Sequence, residues 1–328
     1  MTTDAAPRGG PGQVGAAAPR LFVIGEALVD IVHRATGAVD EAPGGSPANT
    51  ALTLGRLGRR PALVTRLGDD ERGRRIRRWL EESDVEVVAS AAPRTATATA
   101  HLDATGAATY SFDLEWDLGT EVSGLKGALA ATADLVHVGS VATVLAPGDA
   151  QVVALVRAAR PRALITYDPN IRPSLVDDPT RVRARVDDLV ALADVVKASD
   201  EDLHWLAPGR DAVEIAREWV ARGPALVVVT LGSQGSIGVT ADGEVMVPGI
   251  PTDVVDTVGA GDTFMGALID GLLERRITGA DVRAPGGGIR SAGVAALLER
   301  AARAAAITVS RPGADPPRRD ELMVARTA

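Results

Sequence analysis

The sequence contains no cysteine. That excludes disulfides, thiolate nucleophiles and metal sites built on sulfur. Lysine is almost as scarce: Lys126 and Lys197 are the two lysines, and arginine supplies the other basic side chains. No stretch of about 18 residues is both apolar and free of charges and breakers, so no membrane-spanning helix is expected. The opening 20 residues are rich in Ala, Gly and Pro and hold no continuous apolar run. They read as a disordered tail and not as a secretory signal, which makes the cytoplasm the expected compartment. A net charge of -8 argues against a nucleic-acid partner, whose footprint would be basic, and gives no attraction to an anionic membrane. The histidines His33, His101, His137 and His204 are scattered and are expected in packing or surface positions.

What is present has the texture of a globular α/β protein, 46% hydrophobic and 24% charged over 328 residues, enough for a sizeable core. The apolar run 21–24 predicts a buried strand and 28–33 a second one with alternating faces. A Gly/Pro turn over 43–47 precedes a helix over 48–57, a short strand over 62–67 and a charged surface helix over 71–83. Residues 94–112 alternate Thr and Ala and read as a hairpin about Thr105–Gly106, apart from the main layer. Strands are then expected at 135–138, 163–167, 195–197 and 226–230. Helices over 148–159, 181–192 and 211–221 separate them. An antiparallel pair (236–240, 244–247) and helices over 262–275 and 293–307 follow, with 284–288 as a flexible insertion. Strands separated by helices imply a mostly parallel sheet covered on both faces.

The segment Asp256-Thr257-Val258-Gly259-Ala260-Gly261-Asp262-Thr263-Phe264 carries the chemistry. A strand is expected to end near Val255, and a helix to begin at about Asp262. Unpartnered N–H groups at a helix N-terminus attract anions, and Gly259 and Gly261 let a phosphate approach the backbone. A carboxylate there repels phosphate, so Asp262 makes functional sense as a base that takes a proton from an attacking hydroxyl. The competing structural role is a helix N-cap. Other phosphate-handling schemes fail. The third glycine, Gly266, is wrongly spaced for a dinucleotide fingerprint, neither lysine follows a glycine as a Walker A loop requires, and the protein-kinase motifs are missing.

Asp256 to Asp262 resembles the C-terminal signature of the PfkB, or ribokinase-like, family of carbohydrate kinases. Gly25-Glu26-Ala27-Leu28-Val29-Asp30, Gly44-Gly45-Ser46-Pro47-Ala48-Asn49 and Leu67-Gly68-Asp69-Asp70-Glu71-Arg72-Gly73 resemble further family motifs, in the family's order. So do Asp168-Pro169-Asn170-Ile171-Arg172 and Thr230-Leu231-Gly232-Ser233-Gln234-Gly235. The combination is most similar to the fructokinases of that family.

The resemblance implies a three-layer αβα domain over residues 21–328 with a mostly parallel central sheet. A small β lid would be inserted near 28–40 and 94–114. It implies ATP-dependent phosphorylation of a sugar, D-fructose to fructose 6-phosphate, with ribose, 2-keto-3-deoxygluconate and nucleosides as open alternatives. A catalytically silent sugar-binding protein on the same scaffold is the alternative of another class. Asp262 would be the base, and the N–H groups of Gly259, Ala260 and Gly261 the anion hole. Asp30, Gly44, Gly45, Asn49 and Arg172 would contact the sugar, and Ser199, Thr230, Gly232, Gly235 and Gly261 would line ATP. Mg²⁺ would bridge the ATP phosphates, with Asp202 standing where the family has a glutamate. A monovalent cation, K⁺, would lie by Asp256 and Val258. Relatives pair their lid sheets, so a homodimer is expected.

Overall fold

Strand β1 (Leu21–Ile24) buries every side chain. Leu21 and Val23 enter one apolar cluster and Phe22 and Ile24 another, because successive strand residues point to opposite faces. The same doubly buried texture recurs in the other central strands, which is why they read as apolar runs. The structure, a computed structural model, describes residues 18–34, 36–102 and 108–324. Residues 1–17 of the tail expected over 1–20, and the Thr105–Gly106 turn, lie outside the described residues.

After β1 come β2 (Leu28–His33), β3 (Val39–Gly44), α1 (Ser46–Arg56), β4 (Ala62–Gly68), α2 (Glu71–Glu81) and β5 (Glu86–Ala92). They are followed by β6 (Thr97–Leu102), β7 (Ala108–Asp113), α3 (Val122–Thr132), β8 (Leu135–Gly139), α4 (Gly148–Ala159) and β9 (Leu164–Asp168). Next are α5 (Pro179–Leu192), β10 (Val195–Ser199), α6 (Asp200–Leu206), α7 (Ala212–Val220), β11 (Leu226–Thr230), β12 (Gly235–Thr240) and β13 (Gly243–Pro248). The described chain closes with α8 (Ala260–Glu274), α9 (Gly279–Arg283), α10 (Ser291–Val309) and α11 (Arg319–Val324).

One sheet has nine strands in the order β13-β12-β11-β10-β9-β8-β1-β4-β5. It is parallel from β11 to β5, and β12 and β13 are antiparallel. Helices α1, α8 and α10 contribute to the core on one face, and α4, α5 and α7 to the core on the other. Sequence order reverses between β8 and β1, and ligands of open α/β sheets bind outside the carboxyl ends of strands at such a point. The second sheet, β3-β2-β6-β7, leaves the first through Gly25-Glu26-Ala27 and returns to it through α1.

Four expectations are corrected. The 43–47 segment is the end of β3 followed by the start of α1, because Pro occupies the first turn of that helix and needs no N–H partner there. No strand ends at Val255: it and Val254 are exposed, and the backbone N–H groups of Val255 and Asp256 bond to the Val309 carbonyl instead. The 284–288 segment is a turn closing α9, with Gly287 N–H donating to the Ala284 carbonyl. The first two strands of the second sheet reach Gly44, beyond the 28–40 expected for them. Among the described residues no helix is long and apolar enough to cross a membrane.

Candidate active site

Helix α8 starts from Gly259, which has a left-handed φ of 75° and caps the helix with no side-chain bond. Asp262 is the third helical residue. Its carboxylate does not cap its own helix, which answers the N-cap alternative. Ser46 Oγ donates to Asp262 Oδ1 at 2.6 Å, and Asn49 Nδ2 donates to Oδ2 at 2.8 Å. Both donors lie on α1, three residues apart and so on one helix face. Asp262, Ser46 and Asn49 are all buried. A pair of donors of this kind fixes a carboxylate's orientation and stabilises its charge. Among the described residues, Asn49 Oδ1 is buried without a hydrogen-bond partner, an acceptor suited to a sugar hydroxyl.

The close approach of α1 and α8 has a local cause. A Cβ on Gly266 would lie 2.7 Å from Thr53, nearer than real side chains pack. Gly266 is one turn beyond Asp262, and Thr53 one turn beyond Asn49. The third glycine of the segment, unexplained by any nucleotide motif, is therefore the contact that lets Ser46 and Asn49 reach the carboxylate.

Asp30 stands on β2, where a Cβ on Gly44 would lie 2.1 Å from its Oδ2. Burial pushes the Asp30 carboxyl up to about 6; the Arg172 guanidinium opposes the rise and the Asp262 charge adds to it. Gly45, the N-cap of α1, has φ 102°. Arg172 is exposed and donates back to Asn170 and the Ile171 carbonyl, yet its charge acts on both Asp30 and Glu26. Glu26 received no role from the sequence. It is buried at the reversal point and accepts from Ala142 N–H at 3.1 Å. Burial pushes it up to about 7, against hydrogen bonds to its own backbone, Ser140 and Ala142.

Farther along the same sheet edge, Ser199 and Thr230 face each other at the ends of β10 and β11. Gly232 and Gly235 follow with φ of 55° and 112°. Ser199 and Asp202 form a capping box on α6. Asp202 Oδ1 also accepts from Ile171 N–H at 2.7 Å, and Oδ2 from Ser199 N–H at 3.1 Å, so both oxygens hold backbone. Asp256 does likewise, Oδ1 with Val258 N–H at 3.0 Å and Oδ2 with Gly313 N–H at 2.9 Å. The Ala260 N–H turns back to the Thr257 carbonyl over 3.3 Å. Sequence reasoning passed over Ser46, although its spacing of three from Asn49 was a usable signal. It also passed over the buried pair of Lys197 Nζ and Asp168 Oδ2, 2.9 Å apart.

Known proteins resemble this chain along most of its length. Residues 18–321 match the family described as pfkB family carbohydrate kinase. A fructokinase of Rhizobium leguminosarum bv. trifolii is 38% identical over 276 residues, covering 78% of this chain and 82% of that protein. The crystal structure of a fructokinase with bound ATP from Xylella fastidiosa superposes with a TM-score of 0.82 at 27% identity, covering 93% of this chain and 97% of that one. A double mutant of fructokinase from Vibrio cholerae O395, bound to fructose, ADP and a potassium ion, superposes with a TM-score of 0.77 at 25% identity, covering 93% and 97%. With a matched segment spanning nearly every described residue, the chain belongs to the pfkB family of carbohydrate kinases.

Proposed function

We propose that the protein is an ATP-dependent fructokinase in which Asp262 is the catalytic base. The observation that carries this reading is the buried Asp262 carboxylate, fixed by Ser46 and Asn49 at the uncapped N-terminus of α8. A sugar hydroxyl between Asp262 and ATP gives its proton to the carboxylate. The hydroxyl oxygen forms a bond to the γ-phosphorus as the bond to the β–γ bridging oxygen breaks, and ADP leaves. The N–H groups of Gly259 and Gly261, joined by that of Ala260 when it turns from the Thr257 carbonyl, stabilise the charge on the transferring group. Asp30, Asn49 and Arg172 hold the sugar, with Gly44 and Gly45 leaving room for the Asp30 carboxylate and the entry to α1. Ser199, Thr230, Gly232 and Gly235 line the nucleotide.

Mg²⁺ would supply charge neutralisation on the phosphates. Among the described residues no group of three or more His, Asp or Glu side chains could hold a metal ion, and Asp202 is engaged with backbone. The ion is therefore expected to arrive with ATP and water, as hard divalent cations do. Asp256 and Val258 are the proposed edge of a K⁺ site: a large monovalent ion does not impose the strict octahedron of Mg²⁺, and the Asp256 carboxylate keeps lone pairs beyond its two backbone bonds. The second sheet acts as the lid over the sugar and, through its edge strands β3 and β7, as the interface of a homodimer. Light scattering checks the dimer; a monomer across a wide concentration range would remove it. A cytoplasmic location completes the reading.

The deciding assay is ADP release with Mg-ATP and fructose, ribose, 2-keto-3-deoxygluconate, glucose or adenosine. Turnover greatest with fructose is expected. Greater turnover with another acceptor would reassign the substrate. Sugar binding without ADP release would favour the catalytically silent alternative.

A further inference from the structure

Lys197 is one of two lysines in a chain that otherwise uses arginine, and it is buried. It leaves β10 beneath the first turn of α8, where Nζ lies 3.1 Å from the point a Cβ on Gly261 would occupy. The ammonium thus takes the space that a side chain at 261 would fill. A lysine suits that space, being a compact point charge, whereas the broad guanidinium fork of arginine does not. Asp168 Oδ2, at 2.9 Å, fixes its position. Burial works against the charge, but Asp168, Asp202 and Asp262 outweigh it and hold the ammonium above the ordinary lysine value. A cation beside the positive end of a helix is unfavourable by itself. It becomes favourable when an anion sits against both, and at this end of α8 the proposed reaction places the phosphate chain of ATP.

We propose that Lys197 is a positioning residue for phosphoryl transfer: its ammonium, held by Asp168 under Gly261, supplies the permanent positive charge of the anion-binding turn at Gly259–Asp262. This rests on the kinase reading above. On it, Lys197 acts on the nucleotide's phosphates and leaves the sugar side, built on Asp30 and Arg172, untouched.

The test uses Lys197→Met and the double variant Lys197→Met/Asp168→Asn, because the single change strands a buried carboxylate and threatens folding. The probes are adenosine 5′-(β,γ-imido)triphosphate and adenosine, with binding followed by calorimetry, together with steady-state kinetics. In the double variant the triphosphate analogue is expected to bind about 10- to 100-fold more weakly, the worth of an interaction with a charged group. Adenosine affinity and KM for the sugar should stay within about twofold. A double variant with wild-type affinity for the triphosphate analogue would overturn the proposal and leave Lys197 as the counter-charge of Asp168. Binding also separates this from the parent reading: a wild-type protein that binds the analogue but phosphorylates no sugar would refute the kinase activity, while the comparison of affinities would still decide the role of Lys197.

Discussion

Ser46 and Asp262 are 216 residues apart in the chain and 2.6 Å apart in the fold, hydroxyl donating to carboxylate. The bond, with that from Asn49, aims the Asp262 carboxylate in a fixed direction instead of leaving it to rotate at a helix end. If Asp262 is the base, Asp262→Asn should lower kcat by about 10²–10⁴. The fold should be kept, since Asn preserves the shape and can still bond to Ser46. Ser46→Ala removes one charge-assisted bond, worth about 1.5–3 kcal/mol, so kcat should fall roughly 10- to 100-fold with little change in KM for ATP. Made in the Asp262→Asn background, the same change should have a much smaller effect on kcat. Equal effects in both backgrounds would separate Ser46 from the base.

The acid limb of the pH profile should belong to Asp30. Its carboxyl is raised to about 6, first by burial, and only the ionised form offers acceptors alone to sugar hydroxyls. As pH falls through about 6 the group protonates, so kcat/KM for the sugar should fall tenfold per unit below that point and level off above it. Asp30→Asn should lower kcat/KM and abolish this limb. A limb that survives in the variant would assign it to another group.

Glu26 should shape stability instead. Burial raises it to about 7 from an ordinary 4.5, so the folded state binds the proton more tightly than the unfolded one. The sign follows: the stabilisation is fully present below about 4.5 and is lost as pH rises through about 7, an effect of about 3 kcal/mol at most. Thermal midpoints of the wild type and Glu26→Gln should therefore diverge between pH 5 and pH 8, with the Gln variant losing less. Parallel curves would show that Glu26 does not titrate in this range.

Much of the architecture was legible because buried parallel strands such as Leu226–Thr230 are apolar on both faces and stand out from amphipathic helices. β3 was missed because Val39–Gly44 is mostly exposed or half-buried and ends in Pro-Gly, a signature shared with turns. α6 was missed because seven residues after a Ser199 cap are too few for a helical period to show. The place of Asp262 in the first turn of a helix was legible from its glycines and the apolar period that follows. Ser46 and Lys197 were not, because their partners come from other elements and no local pattern encodes a contact of that range. The resemblance implies Asn49 as a sugar ligand, and in the fold its amide nitrogen donates to Asp262.

Gly266 on α8 and Thr53 on α1 set how closely the two helices approach beside Asp262. A Cβ on Gly266 would meet Thr53 Cβ and Cγ2 at 2.7 Å, so Gly266→Ala must push α8 away from α1. Overpacking of this kind costs about 1–3 kcal/mol, and both bonds to Asp262 should lengthen, so kcat should fall with the thermal midpoint. Stability loss alone does not lower kcat of the molecules that remain folded, so the two readouts are separable well below the melting range. The double variant Gly266→Ala/Thr53→Gly reopens the space on the other helix. It should recover most of kcat while remaining less stable, because Gly inside α1 costs about 1 kcal/mol. If kcat stays low once the clash is relieved, the separation of α1 from α8 is not what sets the geometry of Asp262.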